Sequence, residues 1–395
     1  MKDIKKINKN FFTHNYNKFQ EEYIASKANY YDIPKSVIEK QIWIYELHSH
    51  IQNRLKSNVV LKGGACAQLY LDLKFQRCTE DLDLYTNLTK QRLRKEMKII
   101  EKQFNLNKVP MKLYEYVPKS AMLSENRLPI TTFIVKLPFI FTKNRKNREE
   151  SIKVDFLHID MKKISKATIE KSKTMAIDLN YAPISIDIYT LITSKIVTFA
   201  VNSIGIESFK KDKLYKNAYD MFYLIRKYNH KELLPIISQY LKKSINEEFK
   251  IKRIEHINIE RIFQDILQEL YYLSIYDLKE NFTGYSKRFL DFQTNYLQYG
   301  IKEKLDFDGW GIICSYLYLW ILDLKNYVLF KDISHSVYID KIEEAYNLYY
   351  CLDEIGKENY INNIKKQLEA KRVRYEYDYI ENPIRFIYLY SIYYK

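Results

Sequence analysis

Two neighbouring glycines end an apolar run early in the chain, at a point where the backbone could approach a phosphate. The run 59–61 predicts a short buried strand that stops at Gly63 and Gly64. Glycine lets backbone amides come close to a phosphate, and the helix predicted over 65–73 would direct its free N-terminal amides to the same place. The sequence therefore predicts a phosphate cradle at this strand end.

Two carboxylates follow the glycines in a second predicted strand. Asp81 and Asp83 are two residues apart, so both side chains leave one face while Leu82 and Leu84 take the other. Carboxylates held side by side repel each other unless a cation joins them. The pair predicts a divalent metal site beside the phosphate cradle.

A third carboxylate is needed if this site performs nucleotidyl transfer, because two cations must be bridged and an attacking hydroxyl must be activated. Asp155 lies in the predicted strand 152–157 between Val154 and Phe156, where an acid without a partner is costly. Alternatively, this is an edge strand and Asp155 faces water. Asp160 is a weaker candidate because its odd spacing places it on the other face.

Two charged residues lie in predicted helices that are otherwise apolar. Lys195 falls on the inward stripe with Ile192 and Phe199, so it either contacts a nucleotide phosphate or packs its stem and extends its amine to water. Asp220 could pair with Lys195, contribute to the site, or lie on a solvated face.

Three further polar residues near the motifs have a functional and a structural interpretation. Arg77 could neutralise a triphosphate, or it could be a surface arginine at a strand entrance. His48 and His50 are too close in a predicted helix for their rings to converge on a metal, so we expect surface or packing roles.

Composition describes a folded protein with an excess of positive charge. The chain has 395 residues, of which 47% are hydrophobic, and its formal net charge is +15. This charge favours an anionic partner such as RNA, DNA or a membrane surface, although the abundance of Lys, Asn, Ile and Tyr is also expected of an AT-rich genome.

The sequence provides no indication of secretion or of membrane insertion. Its four cysteines lack the spacing of a zinc site and are expected to be reduced thiols of a cytoplasmic protein. The N-terminal residues form no apolar signal segment. The longest apolar stretch, 312–324, is interrupted by Ser315 and Asp323 and is expected to be too short to span a bilayer.

The pattern of the chain changes near residue 188. Strand-rich runs separated by prolines precede this point, whereas helical spacing dominates after it. We therefore predict an α/β domain over 1–188, with an N-terminal helix, and a helical region over 189–395.

The motifs, in this order and spacing, resemble the AbiEii/AbiGii-type toxin nucleotidyltransferases of the DNA polymerase β-like nucleotidyltransferase superfamily. The similarity covers roughly residues 36–228. The motifs that carry it are Ile38-Glu39-Lys40, Leu61-Lys62-Gly63-Gly64, Arg77-Cys78-Thr79-Glu80-Asp81-Leu82-Asp83-Leu84, Ile152-Lys153-Val154-Asp155, the Lys195 helix and Ala218-Tyr219-Asp220-Met221-Phe222.

The resemblance implies a fold and a set of site residues. The fold would be an α/β (α+β) polymerase β-like nucleotidyltransferase core with a mixed sheet, followed by a mostly helical C-terminal region. Asp81, Asp83 and Asp155 would bind Mg²⁺ and perform catalysis, with Asp155 helping to activate the acceptor. The nucleotide contacts would come from Lys62, Gly63, Gly64, Arg77, Lys195 and Asp220, so that the first helices of the C-terminal region, 189–228, complete the pocket.

The resemblance also implies an activity and a biological setting. Members act as toxins of toxin–antitoxin or abortive-infection (phage defence) systems, and some relatives add nucleotides to the 3′ end of tRNA. We therefore expect magnesium-dependent transfer of NMP from an NTP to an RNA acceptor, with tRNA as the expected acceptor and an antitoxin as a partner. Ala65 and Asn217 depart from the family pattern, which puts the rate and nucleotide choice in question more than the chemistry.

Two other functions remain open from the sequence. The acceptor could be a protein hydroxyl or a small molecule instead of RNA. The chain could also be a non-catalytic nucleotide-binding protein whose C-terminal helices bind a partner.

Overall fold

The computed structural model describes residues 7–117, 129–142, 150–170, 172–207, 212–280, 287–334 and 336–371. The chain divides into two compact units. The first contains residues 1–191 and 295–299, and the second contains 192–294 and 300–395. The functional boundary at residue 188 stays a prediction.

The first unit is built around a seven-stranded mixed sheet. Its helices are α1 (Glu21–Tyr31), α2 (Lys35–Leu55), α3 (Gly63–Tyr70) and α4 (Lys90–Leu106). Its strands are β1 (Val59–Lys62), β2 (Asp81–Thr86), β3 (Lys112–Tyr116), β4 (Ile130–Lys136), β5 (Ser151–His158), β6 (Lys166–Thr168) and β7 (Ile184–Ile186). The strand order is β3-β4-β5-β2-β1-β7-β6, with β2–β5 and β1–β7 parallel and the other pairs antiparallel.

Helices cover the face of the sheet to which the strands direct their apolar side chains, because apolar and polar side chains alternate along the strands. In β2, Leu82 and Leu84 are fully buried, while Asp81, Asp83 and Tyr85, which alternate with them, are half-buried. Helix α4 packs with four buried residues at helical spacing, Leu93, Met97, Ile100 and Phe104. Helix α2 packs on α4 and on β1 and β2. The half-buried residues of β2, which include Asp81 and Asp83, therefore face the other side.

The described part of the second unit is helical. Helix α5 (Ile188–Thr198) crosses the boundary, and α6 (Asp212–Lys227), α7 (His230–Lys252) and α8 (Ile259–Glu280) follow. The remaining helices are α9 (Lys287–Tyr296), α10 (Tyr299–Lys302), α11 (Phe307–Phe330), α12 (Ser336–Cys351) and α13 (Glu354–Ala370). The last residues of α9 and the first residue of α10 belong to the segment 295–299 of the first unit. The predicted α/β core with a helical C-terminal region is confirmed through residue 371, and the prediction of helix for 372–395 lies outside the described residues.

Helix α11 is the centre of this helical region. It packs against α6, α7, α8 and α12, and Trp310, Tyr316 and Trp320 are almost fully buried. The apolar stretch 312–324 lies inside a helix of 24 residues, because less apolar residues flank it on both sides. By length and composition alone α11 could cross a membrane, but most of its apolar window is buried, as in a core helix.

Candidate active site

The three predicted catalytic carboxylates lie on one face of the sheet. Asp83 of β2 is the register partner of Asp155 of β5, and Asp81 is the partner of Lys153. Neighbouring strands are about 4.8 Å apart, so partners present their side chains next to each other. The alternative of an edge strand for Asp155 is wrong, because β5 lies between β2 and β4.

The glycine pair lies directly against this carboxylate face. Lys62, the last residue of β1, pairs with Asp83, and Gly63 begins α3 with φ +69°. A Cβ on Gly63 would lie 2.1 Å from Asp83 Oδ2, and one on Gly64 would lie 2.9 Å from Thr79 Oγ1. No larger side chain fits at residue 63. Helix α3 spans Gly63–Tyr70, whereas the sequence predicted a helix over 65–73.

Asp155 is held by two side chains from the same face. Thr132 Oγ1 of β4 donates a hydrogen bond to Asp155 Oδ1 at 2.6 Å, and Lys153 Nζ donates a short hydrogen bond to Oδ2. Burial acts to lower the pKa of Lys153, but its hydrogen bond to Asp155 and the negative charges of Asp155, Asp81 and Asp83 outweigh burial and raise it. The ammonium of Lys153 therefore offsets part of the negative charge of all three carboxylates.

Sequence reasoning did not select Lys153 or Thr132. The signal for Lys153 was present, because a residue two positions before Asp155 in a strand lies on the same face. Thr132 could not be found this way, because its contact depends on the register of β4 against β5.

The carboxylates suit magnesium by their donor chemistry, because Mg²⁺ prefers oxygen ligands. Within the described ranges, however, no group of three His, Cys, Asp or Glu residues is arranged to hold a metal. One oxygen of Asp155 is engaged by Lys153 and the other by Thr132. A metal bound by Asp81, Asp83 and Asp155 together would therefore compete with Lys153 for the carboxylate of Asp155.

Arg77 is buried behind the glycines and is not a surface residue. It is 2% exposed, and its Nη1 donates to the carbonyl oxygen of Cys78 at 2.8 Å. A Cβ on Gly64 would lie 3.5 Å from Arg77 Nη2. The guanidinium thus places a permanent positive charge next to the first turn of α3.

Residues 295–299 belong to the first unit and pack beside the entrance to β2. The carbonyl oxygen of Tyr296 accepts a hydrogen bond from Cys78 N at 2.8 Å, and its hydroxyl donates a short one to Glu80. Burial, followed by the charge of Glu80, raises the pKa of Tyr296. No local pattern in the sequence identified Tyr296, because its partners come from a distant part of the chain.

Lys195 and Asp220 form a buried ion pair within the second unit. Lys195 Nζ lies 2.7 Å from Asp220 Oδ2 and 3.2 Å from Asn217 Oδ1, and the two charged side chains are 4% and 0% exposed. The alternatives of a water-exposed amine and of a solvated aspartate are therefore wrong. Nucleotide contact by either residue stays a prediction.

The remaining polar candidates lie outside the carboxylate set. Asp160 is exposed and caps the short 3-10 helix 161–163 by accepting a hydrogen bond from Lys162 N. His48 is buried and bonds to the hydroxyl of Tyr181 at 2.7 Å, whereas His50 bonds to Glu46 at 2.9 Å. Both histidines have the packing roles that the sequence predicted.

Comparisons with known proteins find similarity only at the level of solved structures. No protein-family model matches the sequence, and no curated protein sequence is similar to it. An antigenic nucleotidyltransferase-like protein from Paracoccidioides brasiliensis is 14% identical, with a TM-score of 0.30 over 56% of this chain and 96% of that chain. The nucleotidyltransferase toxin MenT4 from Mycobacterium tuberculosis H37Rv is 8% identical, with a TM-score of 0.42 over 82% and 98%. At these values the similarities carry no argument for function, which has to come from the site.

Proposed function

We propose that the chain is a magnesium-dependent nucleotidyltransferase that transfers NMP from an NTP to an RNA acceptor, with tRNA as the expected acceptor. The observation that carries the proposal is the pairing of Asp83 with Asp155 in adjacent strands, directly beside the glycine-initiated helix α3. Carboxylates and free helix amides on the same face can serve a metal-bound triphosphate, because they supply oxygen ligands and phosphate donors together.

The residues have separate roles in the proposed reaction. The amides of Gly63 and Gly64, with Lys62 beside them, hold the triphosphate, and Arg77 adds positive charge behind the amides. When bound by Asp81, Asp83 and Asp155, magnesium supplies charge neutralisation for the phosphates. Lys195 and Asp220 are proposed as further nucleotide contacts on the ground of the family resemblance alone.

Transfer itself is an in-line substitution at the α-phosphorus. The oxygen of the acceptor hydroxyl forms a bond to this phosphorus, and the bond to the bridging oxygen breaks to release pyrophosphate. Asp155 is proposed to accept the hydroxyl proton, in competition with the hydrogen bond from Lys153.

The proposed setting is a toxin–antitoxin or abortive-infection (phage defence) system in the cytoplasm, with a cognate antitoxin as partner. This part is supported by the resemblance of the glycine and aspartate motifs to the toxin family. The net charge of +15 is compatible with an RNA acceptor.

The test is label transfer from each of the four α-labelled NTPs to total tRNA, in magnesium, by the purified full chain. We expect Asp81→Asn and Asp83→Asn to lower transfer by about 100-fold or more, and Asp160→Asn, the matched exposed aspartate, to leave it within about twofold. Equal transfer by the wild type and Asp81→Asn, or no transfer to any acceptor, would contradict the proposal. In a labelled whole lysate, RNase should remove the label and protease should not.

A further inference from the structure

The carboxylate face extends without interruption to the edge of the sheet. Tyr116, Thr132, Asp155, Asp83 and Lys62 are consecutive register partners across β3, β4, β5, β2 and β1. Register partners present their side chains on the same face. Tyr116 therefore lies in the same transverse row as the proposed catalytic carboxylates.

A second row runs parallel to the first and also begins with a tyrosine. Tyr114 pairs with Ile134, Ile134 with Lys153, and Lys153 with Asp81. The intervening residue Glu115 bonds to Arg94 of α4 at 2.7 Å, which shows that it points to the helical face. Tyr114 and Tyr116 consequently point to the carboxylate face.

Both tyrosines are open to solvent although their rings are large. Tyr114 is 48% exposed and Tyr116 is 49% exposed. They lie two residues apart on an edge strand, so their rings project about 7 Å from each other. Two exposed rings at this spacing on a sheet face can each stack on one base of a single strand.

The charges around the tyrosines favour an anionic partner. Lys112 of β3 is directly opposite Lys136 of β4 on the same face, and Lys136 Nζ lies 5.4 Å from the centre of the Tyr114 ring. Like charges directly opposite each other destabilise a strand pair. A polyanion that bound across them would remove this repulsion.

We propose that Tyr114 and Tyr116, with Lys112 and Lys136, form a docking surface for the single-stranded 3′ end of a nucleic acid acceptor. The inference rests on the proposed function, since it places the acceptor strand on the same face as Asp155. Tyr116 lies two strand spacings, about 10 Å, from Asp155. A stacked strand advances about 3.4 Å per nucleotide, so this distance corresponds to about three nucleotides.

The test measures binding of a fluorescein-labelled ten-nucleotide single strand, as RNA and as DNA, to the full chain without NTP. Tyr114→Thr and Tyr116→Thr, which keep a residue suited to strands, should each raise Kd by about fivefold or more. Tyr114→Phe and Tyr116→Phe keep the ring and should bind within twofold of the wild type. Tyr30→Ala removes the 77% exposed Tyr30 of α1 and should also have no effect.

Lysine variants provide a separate readout of the phosphate contacts. Lys112→Gln and Lys136→Gln should each reduce the slope of log binding constant against log salt by about 0.7. If the RNA strand binds much more tightly than the DNA strand, the docked strand is RNA. If both bind equally, the surface accepts single-stranded RNA and DNA alike. Circular dichroism melting of each variant confirms that it is folded.

Several outcomes would overturn the inference. These are unchanged Kd values in both Tyr→Thr variants, equal losses in Thr and Phe variants, no binding by the wild type, or equal binding of a blunt duplex. Tyr114 and Tyr116 would then be ordinary exposed residues of β3, and Lys112 a charge that opposes pairing at the sheet edge. Because binding is measured without NTP, loss of binding in the Thr variants would uphold the surface even if no nucleotidyl transfer were found.

Discussion

The carboxylate of Asp83 occupies the space that a side chain on Gly63 would need. A Cβ on residue 63 would lie 2.1 Å from Asp83 Oδ2, and Gly63 has the positive φ of +69°. The glycine and aspartate motifs therefore form a single site, because the end of β1 can approach the Asp83 carboxylate only if residue 63 has no side chain.

Gly63→Ala should disable the site. The variant combines a strained backbone with a displaced Asp83, so we expect the free energy of unfolding to fall by about 1–3 kcal/mol and nucleotidyl transfer to fall by about 100-fold. Label transfer and urea denaturation measure the two effects. Gly300→Ala is the control, because a Cβ on Gly300 would meet no atom within 4 Å and both properties should be unchanged. Full transfer by Gly63→Ala would contradict the proposed cradle.

Lys153→Met should strengthen binding of divalent cations. Lys153 Nζ bonds to Asp155 and is attracted by Asp81 and Asp83, so its charge competes with a metal at the same carboxylates. The positive charge of Lys153 repels a bound cation by about 1 kcal/mol, so its removal should lower the Kd for Mn²⁺ by about fivefold or more. Titration calorimetry measures the change.

The control for this variant is Lys166→Met, at an exposed lysine of β6, which should leave the Kd unchanged. Equal or weaker Mn²⁺ binding by Lys153→Met would mean that the lysine does not compete with the cation.

Asp220→Asn should destabilise the protein strongly. It removes one partner of a buried ion pair and leaves the ammonium of Lys195 in the interior without its counter-charge. The expected loss in free energy of unfolding is about 3–5 kcal/mol, measured by guanidinium denaturation. The double variant Lys195→Met, Asp220→Leu removes both charges and should regain part of this loss. Glu247→Gln breaks the pair between the half-buried Glu247 and the exposed Lys250, and it should cost less than about 1 kcal/mol.

Acidification should destabilise the fold through His48. Burial lowers the pKa of His48 to about 3, so the unfolded chain, in which a histidine has a pKa near 6.5, takes up the proton first. Stability should therefore fall as the pH drops from about 6.5 towards 3, by up to about 1.4 kcal/mol per pH unit. His48→Asn keeps a polar partner for Tyr181 and should remove this slope.

The measurement is the difference in unfolding free energy between wild type and His48→Asn at a series of pH values. This difference separates the effect of His48 from that of Glu39, which is present in both proteins. Burial raises the pKa of Glu39 to about 7, so its contribution to the free energy of unfolding decreases as the pH rises from about 4.5 to 7. Parallel curves for the two proteins would show that His48 is not the titrating group.

The sequence by itself determined the features that depend on neighbouring residues. The spacing of Asp81 and Asp83 placed both carboxylates on one face of β2, and the glycines ended β1, as the structure has them. The change from strand to helix near residue 188 could also be predicted, because the two-residue period of strands and the 3.6-residue period of helices can be distinguished within a few residues.

Only the tertiary structure decided which of these features meet. Asp155 is the partner of Asp83 because β5 pairs in parallel with β2, and Lys195 of α5 meets Asp220 of α6 in a buried ion pair between residues 25 positions apart. Strand register and helix packing depend on burial and on contacts between distant segments, which no local pattern encodes. For the same reason, nothing in the local pattern around Tyr116 indicated that it shares a row with the carboxylates.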